Sequence, residues 1–79
     1  MSLQDYYRKN PPEYFSYKLL KDINFFTYDG NFVVIKKDEV CEFFEHTQVY
    51  IFDTREGYAP YYLRYFVENN PDIFEPINA

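Results

Sequence analysis

The dipeptide Asp29-Gly30 sits between two apolar runs, Ile23-Asn24-Phe25-Phe26-Thr27-Tyr28 before it and Asn31-Phe32-Val33-Val34-Ile35 after it. Strand, two-residue turn, strand is the signature of a β-hairpin. A type I′ turn needs positive φ at both central residues and has a twist that matches its strands, which is why Asp-Gly is favoured there. A two-residue turn also sets the register. Tyr28 then faces Asn31, Thr27 faces Phe32, Phe26 faces Val33 and Phe25 faces Val34. Side chains alternate across a strand, so Phe26, Tyr28, Val33 and Ile35 share one face, and Phe25, Thr27, Phe32 and Val34 share the other. Neither face is polar. An antiparallel ribbon with one solvated side alternates apolar with polar residues; both faces of this one require cover.

Cover is scarce in a chain of 79 residues. At this length folding buries roughly 60–65% of the surface that the unfolded chain exposes, and the core is thin. Cys41 is the only cysteine, so no disulfide forms within one copy and no cysteine-based zinc site can be assembled. A single cysteine also suits a reducing compartment. Aromatic mass compensates: the chain has ten Tyr and nine Phe, each able to bury about 150–250 Å². A single domain over residues 1–79 is expected. The first residues lack the apolar run of a signal peptide, and no stretch approaches the roughly 18 apolar residues of a membrane helix. A cytoplasmic protein with no membrane partner is the expectation.

Outside the hairpin, several segments read as helix. Ser2 followed by Asp5 resembles a capping box and opens a short helix over about 3–9, which Asn10-Pro11-Pro12 ends. Within 12–21, Phe15 and Leu19 fall at helical spacing, with a strand over 14–20 as the rival. Lys36-Lys37-Asp38-Glu39 leads into a helix over 38–46 with Val40, Phe43 and Phe44 as its buried stripe. Thr47 to Phe52 reads as a third strand, and 53–57 as a polar loop. Pro60 and Asn69-Asn70-Pro71 bracket a helix over 60–69. The tail, with Ile73, Phe74 and Ile77 among prolines, reads as an extended or one-turn segment packed on the body. The expected fold is α+β: a small three-stranded, mainly antiparallel sheet (23–28, 31–36, 48–53) with a central β-hairpin and two to three short helices.

Charge is unevenly spread. Residues 1–37 carry Arg8, Lys9, Lys18, Lys21, Lys36 and Lys37 against Asp5, Glu13, Asp22 and Asp29, a balance of +2. Residues 38–79 carry Arg55 and Arg64 against nine carboxylates, a balance of −7, which brings the chain to −5. Acidic surfaces keep a protein soluble, and an acidic face also attracts a basic partner. The helix expected at 38–46 would show Asp38, Glu42 and Glu45 away from its apolar stripe. Asp38 and Glu42 are like charges four apart, mildly destabilising on a helix, and the three carboxylates form a candidate partner-binding face. Phe25, Phe32 and Tyr50 form a second candidate, an aromatic sheet face for a partner or for a second copy.

Catalysis has little material. Cys41 and His46 would lie about 140° apart around a helix, and the acidic neighbours of Cys41 raise a thiol's pKa instead of lowering it. A small core residue is the simpler reading of Cys41, and a favourable helix-dipole partner that of His46. The acidic cluster lacks the glycine-containing loop and converging oxygens of a hard-cation site, so no metal and no cofactor is expected. Gly30 and Gly57 are the only glycines, which removes phosphate-cradling motifs. Strand aromatics stack bases in single-strand binders, but such proteins pair them with a basic groove. Here the lysines form a modest patch, and direct nucleic-acid binding is disfavoured. The expected function is a non-catalytic interaction module, an inhibitor or adaptor acting on a basic or nucleic-acid-binding protein. Its size and acidity suit a phage- or mobile-element-encoded inhibitor. The alternatives are a structural homodimer and a weak single-strand binder using the lysine-bearing half.

Overall fold

The computed structural model describes residues 2–53, 57 and 59–77. In chain order they form helix α1 (Leu3–Lys9), strands β1 (Ser16–Leu19), β2 (Ile23–Phe26), β3 (Phe32–Ile35), β4 (Val40–Phe44), β5 (Val49–Phe52) and β6 (Tyr61–Leu63), helix α2 (Arg64–Glu68) and strand β7 (Phe74–Pro76). The strands make two sheets. One has five antiparallel strands in the order β6-β5-β4-β1-β7 and curls into a half-barrel; the other is the β2-β3 hairpin alone. The expected three-stranded sheet with two to three helices is therefore overturned. Residues 49–52 do form a strand, but it pairs with β4 and β6 and not with the hairpin. Among the described residues, helix is limited to α1 and little more than one turn at α2. Residues 54–56 of the expected polar loop lie outside the described residues.

The segments that fooled helical periodicity are rich in β-branched and aromatic residues, which fit a pleated surface as well as a helix face. In 38–46, Val40, Phe43 and Phe44 match a helical stripe. Long-range pairing decides instead: β4 lies between β1 and β5, with Cys41 and Phe43 facing inward and Val40, Glu42 and Phe44 outward. In 12–21, the inward pair is Tyr17 and Leu19, spaced by two. The helix expected at 60–69 starts only at Arg64, because Tyr61–Leu63 extends the sheet beside β5. Asn69 and Asn70 close α2, their side-chain amides donating to the Tyr65 and Phe66 carbonyls at 2.7 Å each.

Among the described residues, two connections hold left-handed residues other than glycine. The turn Lys36–Glu39 is closed by the Glu39 N–H on the Lys36 carbonyl and carries Asp38 at φ +75°. The Asp38 N–H donates to the Leu19 carbonyl, and the Leu19 N–H to the Glu39 carbonyl, so two residues oppose one. That is a β-bulge at the mouth of the β1-β4 ladder. Between β4 and β5, Gln48 turns the chain at φ +57° and its backbone N–H donates to Phe44.

At the N-terminal end, sequence and structure agree. The Ser2 hydroxyl accepts from the Asp5 N–H at 3.2 Å, and the Asn10 N–H closes α1 on the Tyr6 carbonyl. The tail packs as expected, with Phe74 fully buried and β7 laid along β1.

The core is the inner surface of the half-barrel. Tyr17, Leu19, Cys41, Tyr50, Phe52 and Phe74 supply it from the sheet, closed by Ile35 of the hairpin and Val67 of α2. Aromatic rings interlock edge to face: Tyr17 on Tyr50 at 5.1 Å, Phe25 on Tyr62 at 5.9 Å, Phe66 on Phe74 at 5.8 Å. Such pairs add about 0.5–1.5 kcal/mol each beyond the area that they bury, which is how a short chain without disulfides fills its centre.

Candidate protein-interaction surface

The hairpin forms where the sequence predicts it, but with a different turn and a different register. Observed partners are Phe26 with Phe32, Phe25 with Val33, Asn24 with Val34 and Ile23 with Ile35. The loop has three residues, Tyr28-Asp29-Gly30. The Gly30 N–H donates to the Thr27 carbonyl and the Thr27 N–H to the Asn31 carbonyl. Gly30 has φ +88°, whereas Asp29 is not among the positive-φ residues, and this excludes the type I′ turn. The Thr27 hydroxyl donates to the Asp29 carboxylate and lies 3.1 Å from the Asn31 carbonyl, which fixes the longer loop. The same contact, with backbone N–H groups adding to it, holds the Asp29 carboxyl below its ordinary pKa.

One residue of slip between the strands redistributes the side chains. Ile23, Phe25, Val33 and Ile35 now share the face that meets the core, and Asn24, Phe26, Phe32 and Val34 share the other. The outer face stays open: Phe26 is 75% exposed and Phe32 61%, with their rings 6.1 Å apart. Tyr28 projects fully into solvent at the tip. Of the two apolar faces expected, one is covered by this chain and one is not. Beside β2, a groove of about 710 Å³ runs between Phe25–Asp29 and Ala59–Tyr61.

The candidate aromatic face Phe25, Phe32, Tyr50 is not one surface. Phe25 packs inward, Phe32 points outward, and Tyr50 has no exposed area. The Tyr50 hydroxyl donates to the Tyr14 carbonyl at 2.7 Å, and burial pushes its pKa well above the ordinary tyrosine range. Tyr50 is thus a core residue, placed there because β5 alternates against β4 and β6.

The acidic stripe is likewise rearranged. With 38–46 extended, Asp38 lies in the turn before β4, Glu42 on the outer face opposite Ile51, and Glu45 in the turn after β4. Strand rise separates Asp38 from Glu45 by roughly 20 Å, so the helical face formed by these three does not exist. Glu42 is set among apolar neighbours, since Val40, Phe44, Tyr61 and Leu63 are exposed on the same outer side of the sheet. Glu45 lines a mixed-charge depression of about 520 Å³ with Arg8, His46 and Gln48.

Cys41 is fully buried, its thiol 3.6 Å from the Tyr17 carbonyl, and burial pushes its pKa up to about 12. His46 lies in the β4-β5 turn with its ring edge-on to Phe44 at 6.5 Å. Among the described residues, no group of three or more His, Cys, Asp or Glu side chains is placed to hold a metal ion, and no helix is long and apolar enough to cross a membrane.

The sequence gives Arg64 no role beyond its place in the charge balance. It is 5% exposed, with Nε 3.0 Å from the Glu68 carboxylate and Nη1 within 3.3 Å of both the Tyr7 carbonyl and Gln48 Oε1. The guanidinium also lies over the Tyr7 ring at 4.4 Å. A planar, multi-donor cation suits such a junction. It ties α1, the β4-β5 turn and α2 together. No spacing rule links residues 7, 48 and 64, so only the fold reveals it.

No protein-family model, curated protein or solved structure matches this chain.

Proposed function

We propose that the chain is a small, acidic, non-catalytic protein-interaction module that docks on a partner protein through the outer face of its hairpin. The observation that carries this reading is the exposure of Phe26 and Phe32 on a face whose other side is already packed against the core. Large apolar side chains gathered on one open face, with a polar surround, mark interaction sites. Tyr28 adds rigid contact area at the tip with little rotamer entropy to lose. The −5 charge favours a basic partner, a nucleic-acid-handling protein included, and speeds encounter with it. The sealed thiol of Cys41 supports the non-catalytic part, because a nucleophile needs access and an adjacent base.

The test is capture from lysate with the wild-type chain beside Phe26→Ser/Phe32→Ser. Both side chains are exposed, so the double variant keeps its fold by circular dichroism. Loss of a specific partner with retention of the fold is the expected result. Equal capture by both chains would remove the hairpin face from the function. Asp38→Lys, Glu42→Lys and Glu45→Lys, made singly, then separate general acidity from a local contact.

A further inference from the structure

We infer that the cleft between β1, α2 and β7 binds an alkylammonium group, carried by a small organic amine or by a lysine side chain. The cleft holds about 270 Å³, and its walls include Glu13, Tyr14, Tyr17, Glu68, Pro71 and Pro76. Pockets for drug-sized ligands run from roughly 300 to 1,000 Å³, so this one suits a single side chain or a small amine. Its walls are held by the sheet. Tyr17 lies on β1 with Pro76 of β7 as its strand partner, and the Tyr14 carbonyl accepts the Tyr50 hydroxyl at 2.7 Å. The Tyr14 and Tyr17 rings stand 6.0 Å apart at 76° to one another. Glu68 enters from the end of α2, and Glu13 is exposed at the rim.

The chemistry of the walls selects the ligand. At the Arg64 junction the chain already joins a cation to Glu68 and to a tyrosine face: Nε lies 3.0 Å from Glu68 Oε2, and the guanidinium sits 4.4 Å over the Tyr7 ring. The cleft offers the same kinds of group, Glu68 with Tyr14 and Tyr17, and adds Glu13. None of the described residues lining it is basic. Burial holds the Tyr17 hydroxyl above its ordinary pKa, and Glu68 and Glu13 push it further the same way, so both carboxylates act on one wall of the cleft. Such a site repels anions and draws a cation toward carboxylates and ring faces. A hard divalent ion needs six or more converging oxygens, which two carboxylates do not provide. A guanidinium binds best across both oxygens of one carboxylate, and Glu68 has already committed Oε2 to Arg64. An ammonium acts as a point charge, with its carbons free to lie against proline and tyrosine. That is the cation this cleft fits.

The cleft shares no described lining residue with the hairpin groove, so ammonium binding here and docking at the hairpin fail independently. Titration of the isotope-labelled chain with tetramethylammonium chloride at constant ionic strength should move the Tyr14, Tyr17 and Val67 signals saturably. A Kd in about the millimolar range is expected of so small a ligand. Neopentyl alcohol, its neutral isostere, should bind about fivefold more weakly or worse. Glu13→Gln and Tyr14→Leu should each weaken ammonium binding about two- to fivefold, the size of a partly exposed charge or ring contact. Glu13 is exposed, so its variant keeps the wild-type spectrum elsewhere. A glycine-flanked trimethyllysine peptide separates the sources: tighter binding than the free ion assigns the site to a partner's lysine, and equal binding to a free amine. Shifts that do not saturate would overturn the inference. So would neopentyl alcohol binding as tightly, or a Glu13→Gln chain that binds tetramethylammonium unchanged.

Discussion

The half-barrel and the hairpin are built from the same residue types and end in opposite states. Phe52 and Phe26 make the contrast: the first is fully buried in a five-stranded sheet, and the second stands three-quarters in water on a two-stranded one. Strand number explains the difference. Five strands curl far enough to enclose an inner face, whereas two strands have a covered side only where they lean on something else. Burial thus follows topology more than hydropathy, and an aromatic left outside is a property of its strand's position.

The largest expected break in the comparison comes from truncating the two rings. Phe52→Ala should cost about 3–5 kcal/mol in urea unfolding, and Phe26→Ala less than about 0.5 kcal/mol. A similar loss at both positions would mean that the hairpin's outer face is covered in the folded state. Next comes the junction that holds α1 to the sheet. Arg64→Leu strands the Glu68 carboxylate, the Tyr7 carbonyl and Gln48 Oε1, and should cost about 2–3 kcal/mol, discounted because Glu68 keeps some solvent. Limited proteolysis should then cut near α1 and leave the hairpin as it was.

A pH series separates the regions without truncation. The Cys41 thiol is raised to about 12 by burial, so the unfolded chain releases its proton first as pH rises past the ordinary thiol value. Its contribution is present below that value and is lost as pH climbs toward the folded one. The raised hydroxyls of Tyr50, Tyr17 and Tyr62 act in the same direction at higher pH. Between neutrality and about pH 10 the thiol alone should remove about 1–2 kcal/mol, and Cys41→Val should flatten that part of the profile. The smallest expected effect is a gain. Asp38→Gly relieves a left-handed non-glycine residue and should add about 0.5–1 kcal/mol by thermal unfolding. Gln48→Gly should not, because that side chain serves Arg64 and the Glu45 carbonyl.

Legibility in the sequence tracked the range of the deciding interaction. The Ser2 cap, the hairpin, the β5 strand and the packed tail rest on near neighbours or on unbroken apolar runs, and each was readable. The hairpin register failed by one residue because the Thr27 hydroxyl, donating to Asp29 and close to the Asn31 carbonyl, selects a three-residue loop that the Asp-Gly dipeptide does not reveal. Residues 38–46 failed because Val40, Phe43 and Phe44 match the 3.6 period, whereas pairing with distant strands makes the segment extended and sends Phe43 to one face and Val40 and Phe44 to the other. That error carried Asp38, Glu42 and Glu45 with it. The aromatic candidate face was legible in part: Phe32 is exposed, but Tyr50 was misplaced because a fully apolar strand gives no sign of which side faces solvent.

The strand order has a consequence for the chain as it is made. β1 lies between β4 and β7, so residues 16–19 find one partner some twenty residues later and the other only at 74–76. Until Phe74 clears the ribosome, β1 is an open edge and the half-barrel lacks its last wall. Residues 74–76 must therefore be free to pair before the half-barrel can close, and until then one edge of β1 stays unpaired.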